Sequence, residues 1–239
     1  MKLALIGNGA MGQLVAQQAR TANNEIGATF TSKEAELPAH EMAAILANHD
    51  VAVDFSNGAA VMRNVEACAR AGVPLVEGTT GWKDNEDEVR RIVQESGAAL
   101  VYGANFSIGV NVFYRIVERA SELFAPLDQY QAFIEEQHHS RKLDAPSGTA
   151  LKIQTLMDQH GNAPVSIAST RAGSIPGTHR VGFDSTADQI TLTHMSRSRE
   201  GFAAGALLAA RWIVGRKGVY EFAEVIDGIL KEKTEDSRQ

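Results

Sequence analysis

At 239 residues, 44% hydrophobic and 22% charged, the chain has the composition of a folded protein with room for one large core or two modest ones, not of a disordered segment. A formal net charge of −6 sets it against binding a phosphate backbone, and no stretch approaches the ~20 apolar residues of a membrane span, so neither nucleic acid nor membrane is an expected partner. A single cysteine, Cys68, excludes an internal disulfide, and the apolar start of MKLALIGNGAMG runs at once into glycines rather than into a secretion leader, so a cytoplasmic protein is expected.

The first hundred residues alternate between two periods. Leu3–Ile6 reads as a strand ending at Gly7, followed by an Ala-rich helix from Met11 to Arg20. Strands are then predicted at 26–30, 51–55, 73–77 and 98–102, with helices at 40–48, 59–71 and 86–96 between them. Near-continuous apolar strands separated by helices imply a parallel sheet covered on both faces. After Phe106 the rhythm changes. A long helix is predicted over 108–124, a strand-like run at 132–134, and a polar segment rich in His, Lys and Arg. A helix over 147–159, alternating stretches at 165–169 and 190–194, and final helices at 202–214 and 221–230 complete the chain.

Gly7, Gly9 and Gly12 form G-x-G-x-x-G between the first strand and the first helix. This context turns a weak motif into a dinucleotide fingerprint: the glycines allow a tight turn, close approach of a pyrophosphate, and close packing of helix on strand. The free N–H groups of the helix start face the anion. The second strand runs into Phe30-Thr31-Ser32-Lys33, with no acidic residue at its end to grip a ribose. Hydroxyls followed by a lysine suit a 2′-phosphate, which leans toward NADPH over NADH.

Residues 135–150 read Glu-Glu-Gln-His-His-Ser-Arg-Lys-Leu-Asp-Ala-Pro-Ser-Gly-Thr-Ala. His138, His139, Arg141 and Lys142 concentrate cationic groups in an acidic chain. Ser147 is placed to cap a helix whose first turn holds Gly148 and Thr149, so a basic strip leads into an open helix N-terminus. That combination suits one or two carboxylates. Adjacent histidines on an extended segment point to opposite faces, and no Cys or carboxylate set with zinc spacing accompanies them, so no metal is expected.

At this cluster the chain resembles the 4-hydroxy-tetrahydrodipicolinate reductase family, also called dihydrodipicolinate reductases. The run E-x-x-H-H-x-x-K-x-D-A-P-S-G-T-A is similar to that family's signature. Asp54-Phe55-Ser56, Glu77-Gly78-Thr79-Thr80-Gly81 and the run Ala104–Asn111 resemble further family segments, as do Gly173–Gly177 and Arg199-x-x-Phe202-Ala203-x-Gly205-Ala206. The resemblance covers nearly the whole chain in order.

It implies an α/β fold: a Rossmann-type parallel-sheet dinucleotide domain over 1–106, completed by C-terminal helices in 200–239, and an α+β substrate and tetramerisation domain over 107–199 with an open mixed sheet. It implies that Gly7, Asn8, Gly9, Ala10, Met11 and Gly12 hold the pyrophosphate of NADPH or NADH, with Thr31, Ser32 and Lys33 at the ribose. Phe55, Gly78, Thr79 and Thr80, and Gly103, Ala104, Asn105 and Phe106, would line the cofactor's nicotinamide side. His138 is implied as the acid/base and Lys142 as the proton donor. His139, Ser147, Gly148 and Thr149 are implied to bind a small dicarboxylate substrate in a homotetramer. The glycine loop is shorter than in many members and lacks their arginine, Thr31 and Ser32 replace an acidic residue and arginine, and Ser140-Arg141 stands where Arg-His is common. The implied reaction delivers hydride to ring C4 and a proton to C3 after loss of the 4-hydroxyl. Two other readings remain: a different NAD(P)-dependent dehydrogenase, which would want a nucleophilic cysteine where Cys68 reads as core, and a non-catalytic NAD(P) sensor, which would lack His138 and Lys142.

Overall fold

Apolar runs flanked by polar turns become strands almost where the sequence places them. The computed structural model describes residues 1–34, 36–161 and 164–236, with side chains of the last helix described through 232; the last three residues of the expected 200–239 segment lie outside these. In chain order β1 (Lys2–Ile6), α1 (Ala10–Thr21), β2 (Glu25–Phe30), α2 (Ala39–Leu46), β3 (Val51–Asp54), α3 (Val61–Ala71), β4 (Leu75–Glu77), α4 (Glu86–Ser96) and β5 (Ala99–Tyr102) alternate. Then come α5 (Ile108–Phe124), β6 (Gln131–His138), α6 (Gly148–Asp158), β7 (Ser166–Arg171), β8 (Thr178–Asp184) and β9 (Gln189–Met195). The chain ends with α7 (Glu200–Ile213), β10 (Gly218–Glu221) and α8 (Phe222–Asp236). Two compact units result: Met1–Ile108 together with the chain from Glu200, and Gly109–Arg199.

The first unit is a six-stranded sheet in the order β10-β5-β4-β3-β1-β2, with every pairing parallel. Its inner strands are buried on both faces; Val51–Asp54 has no exposed residue. Leu46, Val65, Cys68, Leu75 and Leu100 belong to one core cluster, so Cys68 is the packing residue the sequence suggests. α7 is rich in Ala, Gly and Leu, and its small buried residues let it lie close to the sheet.

The second unit is a four-stranded sheet in the order β7-β6-β8-β9. β6 pairs parallel with β7 and antiparallel with β8, and β8 pairs antiparallel with β9, so the sheet is mixed. Phe113 and Val117 of α5 and Ile153 and Met157 of α6 pack on Ile134, Val181 and Phe183 of one sheet face. The opposite face presents Phe133, Glu135, Ala168, Arg180, Thr191, Thr193 and Met195, all half-buried or exposed.

Candidate active site

Because the first sheet is parallel, all its strands finish at one edge. The glycine turn follows β1, Thr31–Lys33 follow β2, Phe55 follows β3, Gly78–Thr80 follow β4 and Gly103–Phe106 follow β5. Every residue expected to hold the dinucleotide therefore lies on that edge, and the order reverses at β1, where such sheets bind ligands. Gly7 has φ +95°, and a Cβ there would stand 2.4 Å from the Phe55 carbonyl oxygen; at Gly12 a Cβ would stand 2.1 Å from the Gly7 carbonyl oxygen. At Gly9, the N-cap of α1, nothing lies within 4 Å of a Cβ position, and no side chain caps the helix. The open, uncapped helix start fits a pyrophosphate. The Phe106 ring is buried between Phe55 and Phe222, with centroids 6.1 and 4.7 Å away, so its side chain stiffens the wall behind the turn.

The turn after β2 holds a carboxylate that the sequence analysis did not place there. Glu34 folds back so that its Oε2 accepts from the Thr31 backbone N–H and hydroxyl, each at 2.7 Å. Those bonds, the hydroxyl's first, hold its carboxyl below the usual range. Thr31 and Glu34 make a variant of the capping box around the short 3-10 turn Ser32–Glu34, the Thr31 hydroxyl accepting from the Lys33 N–H at 3.2 Å. The T-x-x-E spacing was the available signal.

In the second unit, sheet register builds the chemistry. Glu136 and His138 are two apart on β6 and share a face. Glu136 stands opposite His179 of β8 and Ser169 of β7, and His138 stands opposite Arg171 of β7. The Glu136 carboxylate is buried. Its Oε1 accepts from the Ser147 backbone N–H at 3.0 Å, the Ser169 hydroxyl at 2.7 Å and the Arg171 guanidinium at 2.7 Å. Its Oε2 lies 3.4 Å from His138 Nδ1 and 3.6 Å from His179 Nε2. Burial opposes ionisation of Glu136, yet the bonds from Ser147, Arg171 and Ser169 outweigh it and hold the carboxyl down to about 2. Burial pushes His179 down to about 4, helped by His138, and pushes His138 below its ordinary value against the pull of Glu136. Both shifts favour the neutral imidazole.

The β6–α6 connection carries the residues expected to bind anions. Ser147 caps α6, its hydroxyl accepting from Ala150 N–H at 3.2 Å. Nothing lies within 4 Å of a Cβ position on Gly148, so the helix start is open on that side, while its backbone N–H faces the Asp144 carboxylate. Lys142 Nζ contacts both oxygens of Asp144, at 2.8 and 2.9 Å. The His139 carbonyl accepts the Lys142 N–H at 3.1 Å, while its buried Nδ1 has no hydrogen-bond partner. Arg171 also donates to the Asp144 carbonyl and so ties this connection to β7.

The structure thus gathers His138, Ser147, Gly148, Thr149 and Lys142 around one strand end and one helix start. Sequence reasoning missed Glu136, Arg171 and His179. It also saw no carboxylate set beside the histidines, whereas Glu136, His138 and His179 bring ligand-type atoms within 4.8 Å of one another. The Arg171 cation on the same carboxylate works against a dication there, so the cluster is better suited to holding protons than metal.

A parallel sheet with a glycine turn at its carboxyl edge, in one chain with histidines and a lysine at a helix start, has the layout of a nicotinamide-dependent oxidoreductase. Family models for the dihydrodipicolinate reductase N-terminus and C-terminus match residues 1–106 and 109–226. The 4-hydroxy-tetrahydrodipicolinate reductase of Christiangramia forsetii is 33% identical over 243 aligned positions, covering 97% of this chain and 100% of that protein. The enzyme of the same name from Archaeoglobus fulgidus is 33% identical over 261 positions, covering 95% and 100%. The dipicolinate-bound dihydrodipicolinate reductase from Paenisporosarcina sp. TG-14 shares the fold, with a TM-score of 0.78 at 20% identity over 92% of this chain and 97% of that one. The chain belongs to the dihydrodipicolinate reductase family.

Proposed function

We propose that this chain reduces 4-hydroxy-tetrahydrodipicolinate to tetrahydrodipicolinate in lysine and diaminopimelate biosynthesis, using NADPH or NADH. The observation that carries the reading is the convergence of a buried imidazole, a lysine ammonium and an open helix start on the β6–α6 connection. A cyclic dicarboxylate needs those groups: donors for two carboxylates and a proton source beside the ring.

Residues 1–106 and the chain from 200 serve as the dinucleotide domain, and 107–199 as the substrate and assembly domain. Gly7–Gly12 would hold the pyrophosphate, Thr31–Lys33 the ribose, and Phe55, Gly78–Thr80 and Gly103–Phe106 the nicotinamide side. Once the 4-hydroxyl has left as water, the bound reduced nicotinamide would supply a hydride to ring C4. His139, Ser147 and the N–H groups of Gly148 and Thr149 receive the substrate carboxylates, which exchange with Asp144 for the Lys142 ammonium. Lys142 delivers the C3 proton and His138 exchanges protons as acid and base. A positioned donor of this kind is worth ~10²–10⁴-fold. The protein works in the cytoplasm as a homotetramer assembled through the open sheet face.

The test is oxidation of NADPH and of NADH by the purified protein with substrate generated in situ by the preceding synthase. Turnover dependent on that synthase supports the assignment; cofactor binding without turnover returns the chain to the sensor reading.

A further inference from the structure

We propose that Glu136 is the positioning residue of this site: a buried carboxylate, shared between β6, β7 and β8, that holds the Nδ1 edge of His138 and leaves Nε2 as the atom that exchanges protons. The proposal rests on the reading of His138 as the acid/base group.

The division of labour between the two carboxylate oxygens carries the argument. Oε1 is occupied three times over, by Ser147, Ser169 and Arg171. These bonds come from β7 and from the start of α6, and they fix the carboxylate. Oε2 makes no hydrogen bond within ordinary limits, and neither does His138 Nδ1, although both are buried and stand 3.4 Å apart. Two unmatched buried groups facing each other are a near-formed pair, and leaving either unmade is costly. His179 competes for the same oxygen at 3.6 Å, but its Nε2 is already engaged by the Ser147 hydroxyl at 3.0 Å. Oε2 is therefore left to His138.

A carboxylate behind one nitrogen selects the tautomer with its proton there and opens the other nitrogen for chemistry. On the His138 ring that other edge faces Gly177, where an added Cβ would lie 3.1 Å from both Nε2 and Cδ2. The absence of a side chain at 177 keeps the working edge clear. The charged groups acting on His138 are Glu136 of β6, Arg171 of β7, and Lys142 and Asp144 of the β6–α6 connection. His179 of β8 packs edge-on at a centroid distance of 5.2 Å and is itself influenced by His194 of β9. Glu136 and Asp144 favour the imidazolium and Arg171 and Lys142 oppose it, so removing Glu136 leaves the cations unopposed on that side.

The experiment follows the His138 Cε1–H resonance against pH by NMR in the full-length protein, assigned with His138→Gln, alongside kcat against pH and NADPH binding by fluorescence. In Glu136→Gln, which keeps shape but loses charge, the His138 midpoint falls by about one unit or more. In the same variant kcat drops by at least ~10-fold, while the NADPH Kd is unchanged. A midpoint that does not move in Glu136→Gln overturns the proposal. Should that variant not fold, Glu136→Asp decides: the shortened side chain draws the carboxylate away from Nδ1 and the His138 midpoint falls, and an unmoved or raised midpoint overturns it. A midpoint that shifts as expected in a protein that never turns over the substrate refutes the assigned reaction and leaves the positioning role standing.

Discussion

Lys142 and Asp144 hold each other through both carboxylate oxygens, so an incoming carboxylate must take Asp144's place before the lysine can serve the substrate. If Lys142 then delivers the C3 proton, Lys142→Ala lowers kcat by ~10²–10⁴-fold. Dinucleotide affinity stays level, because the glycine turn belongs to the other unit. Near wild-type turnover would remove this role. The neighbouring histidines separate by the same reasoning. His139→Ala chiefly raises KM by removing a carboxylate contact, and His138→Ala chiefly lowers kcat; matching profiles would leave no basis for two roles. Cofactor choice is also decided by single side chains. Lys33 attracts a 2′-phosphate, while the ionised Glu34 carboxylate on Thr31 repels it and suits ribose hydroxyls. We expect both cofactors to work. Lys33→Ala shifts the ratio of kcat/KM toward NADH, an effect that fades with salt because the contact is exposed. Glu34→Ala shifts it toward NADPH. A ratio indifferent to both substitutions places selectivity elsewhere in the pocket.

Between β3 and β4 the unusual feature is a pair of register neighbours, Asp54 and Glu77, both carboxylates and both without exposed surface. Asp54 accepts from Ser56 N–H at 2.8 Å and from the Asn64 amide at 2.6 Å, and Glu77 accepts from Thr79 N–H at 2.7 Å, so the pair anchors the turns after both strands. Burial, and then the charge of Asp54, push Glu77 well above the usual carboxylate range. A raised folded-state value means that the contribution of Glu77 is full below its unfolded value of about 4.3 and is lost as pH rises through the folded value. Glu77→Gln therefore raises Tm, and the gain over wild type grows from acid toward alkaline pH. Parallel Tm curves would show that the pair carries no such penalty. The same strands show why the first unit was readable. Apart from the carboxylates that close them, their residues are apolar, so period and length name them. β10 escaped because it is a four-residue edge strand of half-exposed residues. β6 was cut short at Ile134 because its second half, Glu135–His138, is polar; the buried Glu136 finds partners across the sheet in Ser169 and Arg171, and one sequence offers no sign of that. The link between Glu136 and His179, 43 positions apart, exists only once β8 is in register.

At the scale of the whole molecule, the mixed sheet of the second unit offers two unlike faces. One is closed by α5 and α6 over Ile134, Val181 and Phe183. The other carries Phe133, Ala168, Thr191, Thr193 and Met195 among the ion-paired Glu135 and Arg180, whose charges stand 3.1 Å apart. Met195, 53% exposed, closes β9, an edge strand of the sheet. Flat, weakly polar sheet faces of this kind are covered in stable proteins by a helix layer or by another copy of the sheet. Two-fold pairing of identical faces would place Glu135 of one copy within reach of Arg180 of the next, so the ion pair can exchange partners without leaving a charge unmatched. If the tetramer forms through this face, Met195→Glu introduces an uncompensated carboxylate into a closed interface and breaks it. Light scattering after gel filtration should then report a fourfold mass for the wild type and a smaller species for the variant, while circular dichroism remains unchanged because the substitution lies outside the core. A tetramer that survives Met195→Glu moves the interface to another surface, and a wild type that runs as a monomer removes the assembly from the proposed function.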